Sequence, residues 1–361
     1  MQDDSNNDIT HMRHALRLAA RGLGRVAPNP AVGCIIISKD NRVVGRGWTA
    51  PGGRPHAEAI ALKQAGDAAR GATAFVSLEP CAHHGQTPPC VGALIAAGVV
   101  RVVSTARDPD PRTSGAGFAK LKAAGIEVIE GVLTEEAKTL NEGFFKRITE
   151  GRPLVALKIA QSTDGKVARG AGEDKWITGE RARMHGHLLR ARHDAILIGI
   201  GTALADDPEL TCRIPGLEDR SPIRVLLDSK LRLTPTSKLA QTARAVPLLV
   251  FTAAQKGGES LAALGAEIIR VKADAIGRID LGEVLRALAA RGLTRVLVEG
   301  GPTIHAAFLA QGLADRLHLY QSPIVVGAGG VPGASIPTKR LDCTERRAFP
   351  PDVLESFVIR G

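Results

Sequence analysis

The stretch LEPCAHHGQTPPC, Leu78 to Cys90, lies between an apolar run, ATAFVS, and a small-residue run, VGALIAAG. It reads as a strand ending at a cysteine, a polar loop, and a helix that opens on a second cysteine. Upstream, RPHAEAI (Arg54–Ile60) sets a histidine and a glutamate two apart where another helix begins. Thiolate sulfur and imidazole nitrogen are zinc donors, and a catalytic zinc keeps three protein ligands with a fourth position for water. His56, Cys81 and Cys90 supply such a set. A helix starting at Cys90 favours its thiolate through the helix dipole. Water on such an ion is acidified towards neutrality, and Glu58 is the natural proton carrier beside it. Positions i and i+2 lie about 200° apart on an ideal helix. His56 and Glu58 therefore share a pocket only at a first turn, an entry that GGRP just upstream allows.

Outward from this site the chain alternates helix and strand. THMRHALRLAARG carries Met12, Ala15, Leu16 and Ala19 at helical spacing, with Thr10 as N-cap. AVGCIIIS is a buried strand, AEAIALKQAG a helix closed by Gly66, CVGALIAAG a short helix ending at Gly98, and VVRVVSTA a further strand. This rhythm predicts a layered α/β domain with some parallel pairing. TEEAKTLNEGFFKRI reads as one helix, EGRP as a turn, and a new strand starts at Leu154. The division is placed there, with residues 1–147 in one domain and 148–361 in the next. In the second, strands are expected at 154–160, 194–199, 223–228, 247–251, 267–271, 294–298 and 315–320. LGEVLRALAARG predicts a helix with Leu281, Val284, Leu285 and Leu288 on one face.

At 361 residues and 44% hydrophobic, the chain is long enough to bury two cores. The net charge of +10 is spread along its length without a basic tail or stripe. Aromatics for base stacking are scarce, at 3%, which argues against a nucleic-acid partner. Basic sites for phosphorylated small molecules explain the charge instead. Five cysteines, Cys34, Cys81, Cys90, Cys212 and Cys343, are too few for a disulfide framework and suggest a reducing cytoplasm. The N-terminal MQDDSNNDIT lacks the basic region and apolar core of a signal peptide, and no apolar run reaches bilayer length, so no membrane partner is expected.

Three stretches of the second half carry information. LKIAQSTDGKVA is an apolar strand ending in a polar turn. IGIGTALADDPELTCR is a strand, a small-residue turn and an acidic-polar loop. VLVEGGPTIHAAFL is a strand, a Gly-Gly turn and a helix with Pro302 at its favoured first position. Gly300 and Gly301 would let backbone approach a ligand, and the helix would offer N–H groups to an anion. No G-x-G-x-x-G follows this strand. GIGTAL starts like one, but Leu204 stands where the last glycine belongs. A tight turn without a ligand accounts for each glycine pair equally well.

HAE and PC match the H-x-E…P-C-x-x-C signature of zinc nucleobase deaminases, except that Cys81 and Cys90 enclose eight residues rather than two. The longer loop CAHHGQTPPC, with APNPAVGC upstream, resembles the deaminase of the bifunctional riboflavin-biosynthesis deaminase–reductase family. The three motifs of the second half, with GEDKWITG (Gly172–Gly179), resemble that family's reductase, so the resemblance covers nearly the whole chain. It implies an α/β protein: a cytidine-deaminase-like α/β/α layered domain followed by a dihydrofolate-reductase-like α/β domain. It implies one Zn2+ per chain, NADPH, and a phosphorylated pyrimidine as substrate. Asn29 would lie in the pyrimidine pocket. Ala160, Trp176, Thr202, Asp206 and the run Gly301, Pro302, Thr303, Ile304, His305, Ala306 and Ala307 would line the cofactor site. Asp174, Arg190, Leu210, Arg213 and Glu299 would face the reductase substrate, with Lys158 on the same strand as Ala160. The two arginines suit phosphate, which guanidinium binds bidentately. A homo-oligomer is also expected. The rival for the metal is a structural zinc with His83 or His84 as fourth ligand, which leaves Glu58 without a task. Cys34, Cys212 and Cys343 are read as packing or surface thiols.

Overall fold

Successive side chains of a strand point to opposite faces, and in Gly33–Ile37 every residue is buried, so both faces of that strand must be covered. The computed structural model describes residues 2–85, 88–169, 176–274 and 277–360. The chain divides into two units, Met1–Gly151 and Arg152–Gly361. In the first, the order is α1 (Gln2–Ala19), β1 (Gly33–Ile37), β2 (Val43–Trp48), α2 (Ala57–Ala65), β3 (Thr73–Val76), α3 (Cys90–Ala96), β4 (Arg101–Ser104), α4 (Ala116–Ala123), β5 (Glu127–Ile129), α5 (Thr134–Leu140) and α6 (Glu142–Glu150).

The five strands form one sheet in the order β2-β1-β3-β4-β5. β1 pairs antiparallel with β2 and β3, and β3, β4 and β5 run parallel. Met12 and Ala15 of α1 cover Ile35, Ile37, Phe75 and Val103 on one face. Ala57 and Ala61 of α2, Val91 and Leu94 of α3 and Leu121 of α4 cover Cys34, Ile36, Ala74, Val76 and Val102 on the other. This is the layered α/β/α arrangement expected, and Cys34 is a core thiol.

Two local expectations are corrected, and one strand, β2, was not anticipated. Thr10 is not an N-cap. The first helix starts at Gln2, and the Thr10 hydroxyl donates back to Asn6 O at 3.0 Å. The 3.6-residue periodicity marks where a helix packs, not where it starts. TEEAKTLNEGFFKRI is two helices, interrupted at Asn141 (φ −98°, ψ 16°). β2 has no apolar alternation to announce it: its VVGRGW is half glycine and polar. Glycine is needed there because a Cβ at Gly45 or Gly47 would lie 2.2 Å from Ala61 O or Ala57 O, so α2 rests directly on the β2 backbone.

The second unit runs β6 (Leu154–Ser162), β7 (Lys166–Ala168), α7 (Glu180–Ala191), β8 (Ala195–Gly199), α8 (Ile200–Asp206), β9 (Ile223–Leu227), α9 (Lys238–Gln241), β10 (Leu248–Thr252), α10 (Glu259–Ala263), β11 (Glu267–Arg270), α11 (Leu281–Ala290), β12 (Arg295–Val298), α12 (Pro302–Ala310), β13 (Arg316–Ser322), β14 (Val331–Pro332), β15 (Leu341–Phe349) and β16 (Asp352–Ile359). Nine strands form a sheet in the order β11-β10-β9-β8-β12-β6-β13-β16-β15. β11 through β13 are parallel, and β16 and β15 close it antiparallel. Leu281, Val284, Leu285 and Leu288 of α11 are buried as their spacing predicts. The small-residue turn expected after residue 199 is instead the helix α8. β15 and β16 were not anticipated, and most of β15 is exposed.

Candidate active sites

In the first unit the metal donors are delivered by three chain entries. His56 is the N-cap of α2, in extended conformation at φ −71° and ψ 161°. Glu58 is the second residue of the helix. That break in dihedrals lets i and i+2 converge where an unbroken helix could not. Cys81 follows β3, and Cys90 is the first residue of α3. The Cys90 N–H donates to Cys81 Sγ at 3.3 Å. His56 Nδ1 lies 3.6 Å from Cys81 Sγ and 3.3 Å from Cys90 Sγ, and all three donor atoms fall within 4.8 Å of one another. Tetrahedral bonds of about 2.3 Å to sulfur and 2.0–2.1 Å to nitrogen put S and N about 3.6 Å apart. The donor set therefore fits zinc in type and in spacing.

The hydrogen bond from Cys90 draws the Cys81 thiol down to about 4 in spite of burial, while contact with Cys81 and burial push Cys90 up. A divalent ion would hold both sulfurs as thiolates. Among the described residues, His56, Cys81 and Cys90 are the one group of His, Cys, Asp and Glu placed to hold an ion. His83 Nδ1 is 3.0 Å from Thr113 Oγ1, and His84 is exposed. Neither supplies the fourth ligand that a closed structural site requires.

Glu58 is buried at 3% exposure. Burial raises its pKa, with the Cys81 charge adding to the rise and His56 opposing it. Asn29 donates from Nδ2 to Gly53 O at 2.7 Å, against the turn that leads into His56. Sequence reasoning missed two buried carboxylates here. Glu79 accepts from the N–H groups of Asp108 (3.1 Å), Gly115 and Gly117 (both 2.9 Å), tying the cysteine loop to the β4–α4 connection. Asp108, pushed up to about 6 mainly by burial, feels the Cys81 charge. The signals were a glutamate inside the apolar SLEPC and the acidic DPDP just beyond β4.

In the second unit, β8, β12, β6 and β13 are parallel neighbours, so their carboxyl ends open on one edge of the sheet, where ligands of parallel α/β sheets bind. That edge collects Ala160 on β6, Thr202 and Asp206 on α8, and Glu299 and Gly301–Ala307 at the β12–α12 turn. The loops touch: the Gly301 N–H donates to Thr202 Oγ1 at 3.0 Å. Arg190, at the end of α7, donates twice to Glu299, Nε to Oε1 and Nη2 to Oε2, both at 2.8 Å. Its Nη1 also holds Thr211 O at 2.9 Å. The 207–213 loop is thereby fixed to Glu299. Leu210 is buried in that loop at φ +58°, a left-handed conformation costly for a branched side chain.

Burial lifts the Glu299 pKa, but the Arg190 charge and hydrogen bonds, with Lys158, overcome it and hold it at about 2. Lys158 is itself drawn down, chiefly by burial, against the pull of Glu299. Arg213 is exposed and ion-paired loosely to Glu209 at 3.8 Å. Trp176 is 44% exposed, with the Arg183 guanidinium 4.6 Å from its ring centre. Asp174 lies outside the described residues.

Two details modify the expected phosphate cradle. The His305 ring is buried, with Nε2 3.3 Å from Val298 O, so its side chain faces the interior. The Ile304 and His305 N–H groups fold back to Gly301 O at 3.0 and 3.2 Å. With Gly301 N taken and proline at 302, the Thr303 amide is the first-turn donor with no such partner among the described residues. Gly300 and Gly301 pack closely: a Cβ there would sit 3.1 Å from Ile304 Cβ and 3.2 Å from Thr202 Oγ1.

A layered α/β unit with a His-Cys-Cys zinc set and a buried glutamate defines a zinc-dependent deaminase, joined here to a second α/β unit of dihydrofolate-reductase type. Residues 5–106 match the family model for the cytidine and deoxycytidylate deaminase zinc-binding region, and residues 153–354 that for the RibD C-terminal domain. The chain belongs to the RibD family of riboflavin biosynthesis proteins, bifunctional enzymes with a zinc-binding deaminase domain and an NADPH-dependent reductase domain. It is 41% identical over 341 residues to riboflavin biosynthesis protein RibD of Escherichia coli, covering 89% of each chain. It is 40% identical over 322 residues to that of Aquifex aeolicus, covering 89% of this chain and 88% of the relative. The solved structure of Acinetobacter baumannii RibD superposes with a TM-score of 0.87 at 36% identity, covering 99% of this chain and 100% of that one. A Thermotoga maritima diaminohydroxyphosphoribosylaminopyrimidine deaminase / 5-amino-6-(5-phosphoribosylamino)uracil reductase gives 0.86 at 36% identity, covering 99% of both. No described helix is long and apolar enough to cross a membrane.

Proposed function

We propose that the first unit deaminates 2,5-diamino-6-(5-phosphoribosylamino)pyrimidin-4-one and that the second reduces the ribosyl group of the product. The final product is 5-amino-6-(5-phosphoribitylamino)uracil. The observation that carries the first step is the convergence of His56, Cys81 and Cys90 beside the buried Glu58. Zinc held by His56, Cys81 and Cys90 would supply Lewis acidity to the attacking water. Glu58 holds a proton readily because burial has raised its pKa, so it accepts one from water and returns it to the departing ammonia. Asn29, with its amide nitrogen committed to Gly53 O, offers its carbonyl oxygen to a ring N–H.

In the second step NADPH, when bound, would supply a hydride to the ribosyl carbon of an open-chain imine, and a proton from solvent would complete the amine, giving the ribityl group. Ala160, Trp176, Thr202, Asp206 and the 301–307 turn are assigned to hold it, the turn through its backbone. Arg190 and Glu299 order the substrate side, with Leu210 and the exposed Arg213, whose guanidinium suits the substrate phosphate. Lys158 adds a second cation beside Glu299. Assembly as a homo-oligomer in the cytoplasm completes the proposal. The two sulfurs at the zinc site need a reducing compartment to stay unpaired.

The test is Glu58→Gln, assayed separately for ammonia release and for NADPH oxidation with the deaminated compound supplied. Deamination should fall by about 10²–10⁴-fold, with zinc content and reduction unchanged. Equal loss of both activities in a folded variant would count against separate sites. Undiminished deamination would remove Glu58 from the mechanism.

A further inference from the structure

The interruption of the α5–α6 helix at Asn141 has a structural counterpart far away in sequence. The Asn141 side chain is buried at 3% exposure. Its Oδ1 accepts from Ala31 N–H at 2.8 Å and its Nδ2 donates to Ala31 O at 2.9 Å. A side-chain amide here does what a neighbouring strand would do, pairing both polar groups of one residue across 110 positions of sequence. Ala31 lies two residues after Asn29.

The rest of that segment is held as fully. Thr49 Oγ1 accepts from Val32 N–H at 3.0 Å and donates to Pro30 O at 3.1 Å, and Thr49 N–H donates to Val32 O at 2.9 Å. Every backbone polar group from Pro30 to Val32 is thus taken by Asn141 or Thr49, since proline has no N–H to offer. Asn29 itself donates to Gly53 O from its side chain and to Val26 O from its backbone (2.9 Å). Gly53 is at φ +83°, and a Cβ there would fall 2.5 Å from Asn29 Nδ2. A segment that needed only to connect α1 to β1 would not require side chains from two distant elements.

We infer that Asn141 is a positioning residue for the deaminase: its amide clamps Ala31 and so fixes where Asn29 presents its carbonyl to the pyrimidine. The inference rests on the reading of Asn29 as a substrate contact. Asn141 acts without touching substrate, and its loss moves Asn29 relative to the metal donors. Misplacement of a contact by about an ångström costs up to about 10²-fold, and a loss of uniform binding appears in KM rather than kcat.

The test uses the full-length zinc enzyme. Asn141→Asp keeps the acceptor for Ala31 N–H but sets a carboxylate oxygen against Ala31 O. Asn141→Leu removes both bonds at similar volume, and Thr49→Val loosens the same segment from the other side should the Asn141 variants fold poorly. We expect deaminase KM to rise by about ten-fold in Asn141→Asp, with kcat, zinc content and reductase kinetics within two-fold of the parent. Because Asn141 acts through Asn29, adding Asn141→Asp to Asn29→Ala should cost nothing further in KM. If Asn29→Ala raises KM but Asn141→Asp and Thr49→Val lower only the melting temperature, the clamp is structural and the inference fails alone. Multiplicative KM effects in the double variant overturn it as well. If Asn29→Ala leaves KM unchanged, the substrate reading of Asn29 falls, and the inference with it.

Discussion

Glu299→Gln isolates the electrostatic contribution that orders the second unit's site. Glu299 and Arg190 form a bidentate pair with side chains only 10% and 14% exposed, so solvent screening removes little of their interaction. The depression of the Glu299 pKa from 4.5 to about 2 corresponds to about 3 kcal/mol of folding stability. Removing one partner of a buried pair typically costs 3–5 kcal/mol, so the two routes agree. The sign follows from linkage. Glu299 is depressed in the folded state, so its contribution is complete above pH 5 and is lost as pH falls through 4.5 towards 2. Glutamine has no such dependence.

The assay is urea unfolding of the full chain in a Trp48→Phe background, leaving Trp176 as the sole tryptophan, in the second unit. At pH 7 Glu299→Gln should unfold with about 3 kcal/mol less free energy than its parent. The gap should fall to about half near pH 3 and close near pH 2. A difference under about 1 kcal/mol at pH 7, or a gap that does not change with pH, would refute the reasoning.

Metal removal by a strong chelator, or Cys81→Ser, should abolish deamination while leaving circular dichroism and reductase activity near the parent. The first unit has its own buried core on both sheet faces and should fold without zinc; a collapse of its secondary structure on chelation would show otherwise. Gly47→Ala should lower zinc affinity along with stability, by about 1–3 kcal/mol in the latter, because the new methyl would meet Ala57 O beside His56. Retention of full zinc affinity, by competition with a metal chromophore, would separate β2 from the site. Arg224 is fully buried and forms no salt bridge among the described residues; its Nη1 is bonded to Thr242 Oγ1 (2.7 Å) and Glu209 O (3.3 Å). Arg224→Met should destabilise the second unit by about 2–4 kcal/mol and raise reductase KM by loosening the loop at Leu210; unchanged thermal unfolding would contradict this.

The strands of the second sheet were legible because parallel strands buried on both faces read as continuous apolar runs, as in ALKIA and AILIG. Each expected strand there lies within one or two residues of the observed one. The exposed β15 carries no such run, and α8, with only Ile200 and Ala203 buried, offers too short a period to read. The zinc donors were legible for a chemical reason, since few roles besides metal binding need His, Cys and Cys around a carboxylate. Glu79 and Asp108 left only the faint signals of a glutamate in SLEPC and an acidic DPDP, and Asn141 left none, because nothing in the sequence marks a polar side chain whose partner is a backbone group 110 residues away. Asn141 and Gly143 lower helix propensity locally, but that alone does not place the break in TEEAKTLNEGFF, because the competing bond to Ala31 is tertiary.

Burial acts on carboxylates in both units, yet with opposite results. At Glu58 and Asp108 the loss of water dominates, so both pKa values rise, that of Asp108 to about 6. At Glu299 the same loss of water is outweighed by Arg190 and Lys158, which fix a permanent anion. The difference lies in the neighbours alone, and it matches the chemistry each site must perform. Deamination moves protons between water and a departing amine and needs a carboxylate that changes state. Hydride transfer to a sugar carbon needs none, and a carboxylate locked in its charged form serves there to hold the arginine, and through it the 207–213 loop, in a single place.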